Sequence, residues 1–536
     1  MKIKQVFFII PFILSPLFSF GQQKVSYKQT IQAEKWSVVD ISFKARKSPK
    51  QPLDAVFGAI FNHEDGEKMD VAGFYNGNNE YVIRFSPEKE GKWYFKSYSS
   101  ESSLTEKKGL LTVVPNQDKE QHGPIVISES NQQKFEYADG TPYFLLAFEL
   151  DWLFALDWNN KNDIPKTRTL INEVEQHGFN QVVMNVYAYD ATWGRKEIDP
   201  ETNFAKPAVF PFKGSNEDPD YSSLNIEFFQ HLDRVIAHLN EKGMISHLMI
   251  YVWNKEVNWP EAYSAEDNRY FDYVVKRYQA YPNIMWDISK EALGYGHDDI
   301  DYITNRIERL KKLESHRRLV SVHDYHYCST FPEKVDYISI QSWVPNIYDK
   351  MLEAKEQHAD KPIFNIEHGG YEQTMHVVFE GAYTDPIVCL DRNYKCVFAG
   401  SYTTYYWHNT SWYEVVINPF ELPEENQPFF RYYKYMADLF KKYNFTSLEP
   451  AQKGFGTYAL SDREDVHLFY LPFGLNKING HREELKGKTV QVTWFDPLTG
   501  EYLEGPSKKM ESAWTSFAKP KGLQNSIAVG ILEVIN

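Results

Sequence analysis

Cysteine is scarce in this sequence. Its 536 residues hold three, Cys328, Cys389 and Cys396. An odd, sparse count excludes a disulfide-stapled scaffold, although Cys389 and Cys396 stand close enough in sequence that one pair stays open. No Cys/His spacing fits a structural zinc site. Basic runs are missing as well. The net charge is −15 and no cluster of Lys and Arg stands against it, which excludes nucleic acid as a partner, since phosphate neutralisation needs such clusters. Beyond residue 21 no apolar stretch approaches the ~20 residues that span a bilayer. Internal repeats and low-complexity segments are absent too. So is a Gly-rich phosphate loop after the first apolar run of the central region, which reads Glu149-Leu-Asp-Trp-Leu-Phe154.

What is present begins with an address. Lys2 and Lys4 precede an apolar stretch, Val6 to Phe20, broken by Pro11 and Pro16 and ending in Ser19-Phe-Gly21. That is the pattern of a secretory signal peptide over 1–21. No Cys lies near the cleavage point, so no lipid anchor is expected, and the mature chain is expected in the periplasm or the medium. Aromatic residues make up 16% of the chain, with 13 Trp and 36 Tyr. Such a surplus suits surfaces that stack on flat apolar faces such as sugar rings; large β-rich domains also favour aromatics.

Length alone calls for several domains. Residues 22–118 lack helix signals, and alternating segments (Trp36 to Phe43, Ala55 to Phe61, Tyr81 to Phe85, Lys92 to Tyr98) are separated by Gly, Asn and Pro clusters. The spacing predicts a β-sandwich. Over 119–444 apolar runs alternate with amphipathic helices. Eight runs stand out: Tyr143 to Phe148, Gln181 to Tyr187, Ile245 to Trp253, Ile284 to Ile288, Arg318 to Val322, Tyr337 to Ile340, Pro362 to Ile366 and Val397 to Tyr405. One intervening helix runs from Leu224 to a stop at Gly243, with Ser222 or Ser223 as cap. A second, capped by Ser264, ends near Pro282, and a third shows Ile300, Ile303, Ile307 and Leu310 on one face. Repeated β-α units of this number predict a (β/α)8 TIM barrel rather than a doubly wound sheet. Strands return over 445–536, clearest at Val466 to Leu471, Val490 to Phe495 and Ile527 to Val534, and predict a small C-terminal β-sandwich. The fold class is thus α/β, a TIM barrel flanked by two β domains.

In such a barrel the strand ends meet at one mouth. The seventh run, in Lys361-Pro-Ile-Phe-Asn-Ile-Glu-His-Gly-Gly-Tyr-Glu372, puts Glu367 and His368 at a strand tip before a Gly-Gly breaker. The fourth offers Asp287 and Glu291. The other tips supply Asp151 and Trp152, Asn185 and Tyr187, Trp253, then His323, Asp324 and His326, Gln341 and Trp343, and finally Trp407 and His408. Two carboxylates among aromatics and neutral hydrogen-bonding groups suit glycosidic bond cleavage, which needs one carboxyl to give a proton and another to attack or to activate water. Aromatic faces suit sugar rings and the polar groups suit hydroxyls. His323, Asp324 and His326 leave a metal site open as a rival, and two solvated carboxylates merely ending strands remain the plain reading.

The stretch Asn283-Ile-Met-Trp-Asp-Ile-Ser-Lys-Glu-Ala292 resembles the clan of retaining (β/α)8 glycoside hydrolases, whose acid/base closes the fourth strand, and Asn365-Ile-Glu367 resembles the clan's nucleophile strand. Tyr143-Phe-Leu-Leu-Ala-Phe-Glu-Leu-Asp-Trp152 points towards the apiosidase-like branch. Phe85-Ser-Pro-Glu-Lys-Glu-Gly-Lys-Trp-Tyr-Phe95 resembles the immunoglobulin-like module that precedes such barrels, and Trp494-Phe-Asp-Pro-Leu-Thr-Gly-Glu501 the small C-terminal β-domain named for collagen binding that follows them. The resemblance implies a retaining hydrolase of a polysaccharide or oligosaccharide, with Glu291 as acid/base, Glu367 as nucleophile, no cofactor, and carboxyls about 5–5.5 Å apart. One departure stands out. Many clan members place Asn just before the acid/base; here it is Lys290. An acidic or sulfated substrate, a one-residue shift of the strand, or a decayed site would each account for it. The last gives the alternative function, a catalytically inactive glycan-binding protein on a barrel scaffold. Oligomeric state is not fixed by any of these features.

Overall fold

The computed structural model describes residues 22–47, 49–191, 204–296, 299–368, 370–371, 382–383, 385–405, 414–424, 427–451 and 455–535. Residues 1–21, where a signal peptide is expected, lie outside the described residues. At the centre, eight parallel strands form one sheet: β1 (Leu146–Glu149), β2 (Gln181–Asn185), β3 (Ile245–Val252), β4 (Ile284–Lys290), β5 (Val320–His323), β6 (Ile338–Gln341), β7 (Ile363–Glu367) and β8 (Tyr402–Tyr405). Their order is β5-β4-β3-β2-β1-β8-β7-β6, so the sheet curls until β5 and β6 neighbour each other without a shared ladder. Every residue of β2, β3 and β4 is buried. That explains the unbroken apolar runs, because parallel strands walled by helices outside and side chains inside have no solvent face.

Helices α1 (Pro165–Gln176), α2 (Ile226–Glu241), α3 (Ala265–Tyr278), α4 (Ile300–Leu313), α5 (Tyr325–Thr330), α6 (Ile347–Gln357), α7 (Pro386–Phe398) and α8 (Tyr433–Lys442) complete the units. Ser264 caps α3 as expected, accepting the Asp267 N–H at 3.1 Å. The cap of α2 is neither serine. Asn225 accepts the Phe228 N–H at 3.3 Å, because Ser222 and Ser223 are drawn into an antiparallel strand, Pro219–Leu224. A second difference lies at the last run. Val397 and Phe398 belong to the inner face of α7, started by the Asp385 cap and Pro386, and strand begins only at Tyr402 after the turn at Gly400, whose φ is +79°.

Before the barrel, a four-stranded and a five-stranded sheet enclose Ile31, Ile41, Phe61, Phe85, Trp93 and Leu111. This is the expected sandwich, docked on the barrel: Val38, Phe74 and Val82 join the barrel's own apolar cluster. Arg84 reaches across to Asp233 of α2 at 3.1 Å. After the barrel, a six-stranded sheet with a two-stranded flap encloses Phe469, Leu471, Val490, Trp494 and Leu532. All three cysteines are buried free thiols. The pairing left open for Cys389 and Cys396 does not form, because both lie on α7 with Cys396 facing Asn365 of β7.

Candidate active site

Six of the strands end on a polar residue that joins one cluster of contacts: Glu149, Asn185, Lys290, His323, Gln341 and Glu367. Two local irregularities aim these side chains. The register of β4 against β5 shifts between Asp287 and Lys290, and that of β6 against β7 shifts at Gln341, which faces Glu367. Bulges of this kind re-direct side chains at barrel rims. Glu291 follows β4 in a left-handed conformation, φ +58°, held by its N–H donating to the His323 carbonyl at 3.2 Å. An L-residue there costs about 1–2 kcal/mol, a strain that collects at functional sites. One carboxyl oxygen of Glu291, one ring nitrogen of His323 and one carboxyl oxygen of Glu367 lie within 4.8 Å of one another.

Below this trio runs a buried ion network. The Lys290 ammonium bonds Glu149 Oε1 and lies 3.5 Å from Glu367 Oε2 and 3.8 Å from Asp151 Oδ1. Lys255 takes the other oxygen of Asp151 at 3.0 Å. Asn185 donates to Asp151 Oδ1 at 2.9 Å, and Gln341 donates to Glu367 Oε1 at 3.2 Å. Burial pushes the Glu149 carboxyl up to about 7, with Lys290 pulling the other way. Burial also lifts Glu367 well above the usual carboxylate range; Lys290 opposes this, while Glu149, Glu291 and Asp151 add to it. For Asp151 burial is outweighed by Lys255 and Lys290, which hold it well below the usual range. The His323 imidazole is held neutral, its proton affinity lowered by burial and then by Lys290, with Gln341 beside it raising it in part and Glu367 Oε2 3.9 Å from Nε2. A neutral imidazole offers one donor and one acceptor nitrogen, a pair that suits a ligand hydroxyl.

Several expected site residues serve elsewhere. The Trp152 ring is buried, with the Lys255 ammonium 4.8 Å over its face, so it offers no open platform. Tyr187 is buried among Phe154, Phe210, Phe228 and Trp259. Asp324 caps α5 through the Tyr327 N–H and His326 is exposed on that helix. The metal site imagined from His323, Asp324 and His326 is therefore not assembled, because the strand ends at His323 and the chain turns into a helix. His368 points behind β7, bonded to Thr404 O at 2.8 Å and Asn393 Oδ1 at 3.1 Å. Asp287 sits inside the barrel on His247 at 3.0 Å and on the N–H groups of Ser289 and His323. Trp253, stacked on Tyr251 with centroids 6.0 Å apart, and Trp343 are partly exposed at the strand tips. Trp407 and His408 lie outside the described residues. Sequence reasoning passed over Glu149 and Lys255, and also Tyr295, an exposed side chain whose hydroxyl is pushed up to about 12 by burial and the charge of Glu291. Glu149 had a signal: it is the acid that closes β1, two residues before Asp151.

A parallel eight-stranded barrel with β domains before and after it, and carboxylates in its mouth, is the build of a glycoside hydrolase, an enzyme that hydrolyses glycans. Residues 129–446 match the apiosidase-like catalytic domain, over half of the chain, which belongs to that family. Residues 32–100 match a domain family of unknown function. Among solved structures, a presumed glycoside hydrolase from Bacteroides vulgatus shares 20% identity at a TM-score of 0.75, over 94% of this chain and 100% of its own. A family 5 glycoside hydrolase from Bacteroides vulgatus shares 18% identity at 0.57, over 77% and 93%. A further glycoside hydrolase shares 16% at 0.56, over 77% and 97%. At these identities the likeness is one of fold. No curated protein sequence matches significantly.

Proposed function

We propose that the protein cleaves O-glycosidic bonds of a polysaccharide or oligosaccharide with retention of configuration, Glu367 attacking the anomeric carbon and Glu291 serving as acid/base. The observation that carries this reading is the approach of the Glu291 and Glu367 carboxyl oxygens to within 4.8 Å at the ends of β4 and β7. Inverting enzymes hold their carboxyls about 6.5–9.5 Å apart to seat a water between them, and the close approach of these oxygens supports retention instead. Glu367 is almost fully buried, whereas Glu291 is half-buried beyond the end of β4. The buried position suits a nucleophile shielded from water, and the half-buried one suits a proton donor to a departing group.

In the first step Glu367 bonds to the anomeric carbon as the glycosidic C–O bond breaks, and the leaving oxygen takes the Glu291 proton. In the second, ionised Glu291 takes a proton from water, whose oxygen displaces Glu367. The neutral His323 imidazole beside both acids suits a sugar hydroxyl. The flanking sandwiches are read as the immunoglobulin-like and collagen-binding-type modules that accompany such barrels, with no collagen binding inferred, and the leader as directing export to the periplasm or the medium.

Reducing-sugar release from a polysaccharide panel by wild type, Glu367→Gln and Glu291→Gln tests the assignment, with product stereochemistry read by proton NMR. Release by wild type alone, the first-formed anomer matching the substrate, is expected. Equal release by Glu367→Gln overturns the catalytic role, and inverted product overturns the nucleophile.

A further inference from the structure

Lys290 occupies the position where the clan resemblance leads one to expect Asn, and its surroundings are specific. It is the last residue of β4, paired with His323 of β5 just beyond the register shift that follows Asp287, and Glu291 comes directly after it. Only 1% of its side chain is exposed. Its ammonium faces three carboxylates: Glu149 by direct bond, Glu367 at 3.5 Å and Asp151 at 3.8 Å. An amine so enclosed is committed to the protein's own acids and does not stand open for a sulfate or uronate of the substrate.

The charges around Glu367 show what that commitment does. From β1 and its end come Glu149 and Asp151, from the end of β4 Glu291 and Lys290, and from β5 the neutral His323. Gln341 of β6 adds an uncharged donor, Tyr295 lies beyond Glu291, and Lys255 after β3 is spent on Asp151 at 3.0 Å. Three other carboxylates press a proton onto Glu367, and burial presses in the same direction. A protonated carboxyl cannot attack an anomeric carbon. Among these groups Lys290 is the cation that reaches Glu367.

We propose that Lys290 is a positioning residue that draws Glu367 towards the ionised form needed for attack by holding one ammonium between Glu367, Glu149 and Asp151. Glu149 competes for the same ammonium, its own carboxyl pushed up to about 7 by burial while Lys290 pulls the other way. The proposal rests on Glu367 being the nucleophile, and adds that its charge state is set from the neighbouring strand.

The test follows the ionisation of Glu367 itself, without a substrate. Full-length protein carrying 13C-carboxyl glutamate is titrated by NMR as wild type, K290Q, K290R and E149Q, with the Glu367 signal assigned by its loss in E367Q. A nearby cation lowers a carboxyl by about 1–3 pH units. K290Q, which keeps hydrogen-bond donors without charge, is expected to raise the Glu367 midpoint by at least about 1 unit, while K290R stays near wild type. E149Q copies the protonated form of Glu149 and so keeps the fold; it frees the ammonium for Glu367 and is expected to lower the midpoint. Where the panel gives turnover, the acid limb of kcat/KM moves the same way, which loss of a merely structural contact does not produce. A Glu367 midpoint unmoved in both K290Q and E149Q overturns the proposal. If E367Q itself releases sugar as wild type does, it is the nucleophile assignment that falls instead.

Discussion

Arg84 fastens the N-terminal sandwich to the barrel, and removing it gives a sharp prediction. Its guanidinium has five N–H groups, and each has a buried partner. Nε and Nη2 donate to Asp40 at 2.7 and 3.0 Å, Nη1 and Nη2 to Asp233 at 3.1 and 3.2 Å, and Nη1 to the Arg277 carbonyl at 2.7 Å. The rings of Phe74 and Tyr281 pack at 5.2 and 4.8 Å. Breaking a buried pair from one side costs about 3–5 kcal/mol, because the remaining charge is stranded. In Arg84→Met the stranded group is Asp40, since Asp233 keeps Arg277 at 2.6 Å, so the lower end of that range is expected. Equilibrium denaturation in guanidinium chloride reads the loss. Pairing the change with Asp40→Asn removes the stranded charge and is expected to restore at least ~1 kcal/mol, within the usual coupling of contacting residues. Burial works against the Asp233 carboxylate, but Arg277 and Arg84 hold it below the usual range. Its contribution is therefore present above the unfolded Asp value of about 3.9 and lost as pH falls through the depressed folded value, leaving the cost of Arg84→Met flat from about pH 6 to 8. A loss under ~1 kcal/mol would refute the view of this contact as a paired, buried junction.

The three thiols are buried and unpaired, so native protein is expected to give no rapid reaction with a thiol reagent and three equivalents once denatured; fewer after denaturation without reductant would mean a disulfide. Hydrolysis by two carboxylates asks for no metal, and with His326 exposed on α5 the imagined histidine site lacks its members. Chelator dialysis is therefore expected to leave turnover unchanged, and a loss restored by one divalent metal would reinstate that site. Glu291→Ala is expected to keep more of its rate on aryl glycosides with acidic leaving groups than on glycans, because such groups depart without a proton. Equal losses on both would count against the acid role.

The barrel was legible because strands buried on both faces leave a trace that short alternating strands do not. Ile245–Val252 is continuous and apolar for the reason that made it visible: it has neighbours on every side. Reading failed where two structures leave the same trace. Val397 and Phe398 are apolar whether they begin a strand or close the inner face of α7, and so short a run carries no period to separate them. Ser222 and Ser223 are good caps by chemistry, yet the hairpin before α2 claims them and leaves Asn225 at the cap. At the site the acids at the tips of β4 and β7 could be seen, while the lysines that balance them made sense only in three dimensions. Lys290 is explained by Glu149, far away in sequence on β1. Trp152 and Tyr187 stood among the candidate binding residues at the tips, and only the ammonium and rings that cover them show their packing role.

The central claim is that the carboxyl pair works by way of a covalent sugar ester on Glu367. It is tested most directly by incubating the protein with 2-deoxy-2-fluoro glycosides bearing dinitrophenolate leaving groups, then digesting and sequencing by mass spectrometry. The account predicts one added fluorosugar, carried by the peptide that contains Glu367 and absent from Glu367→Gln. A fluorosugar attached stoichiometrically to another carboxylate, Glu291 or Glu149 included, would contradict it.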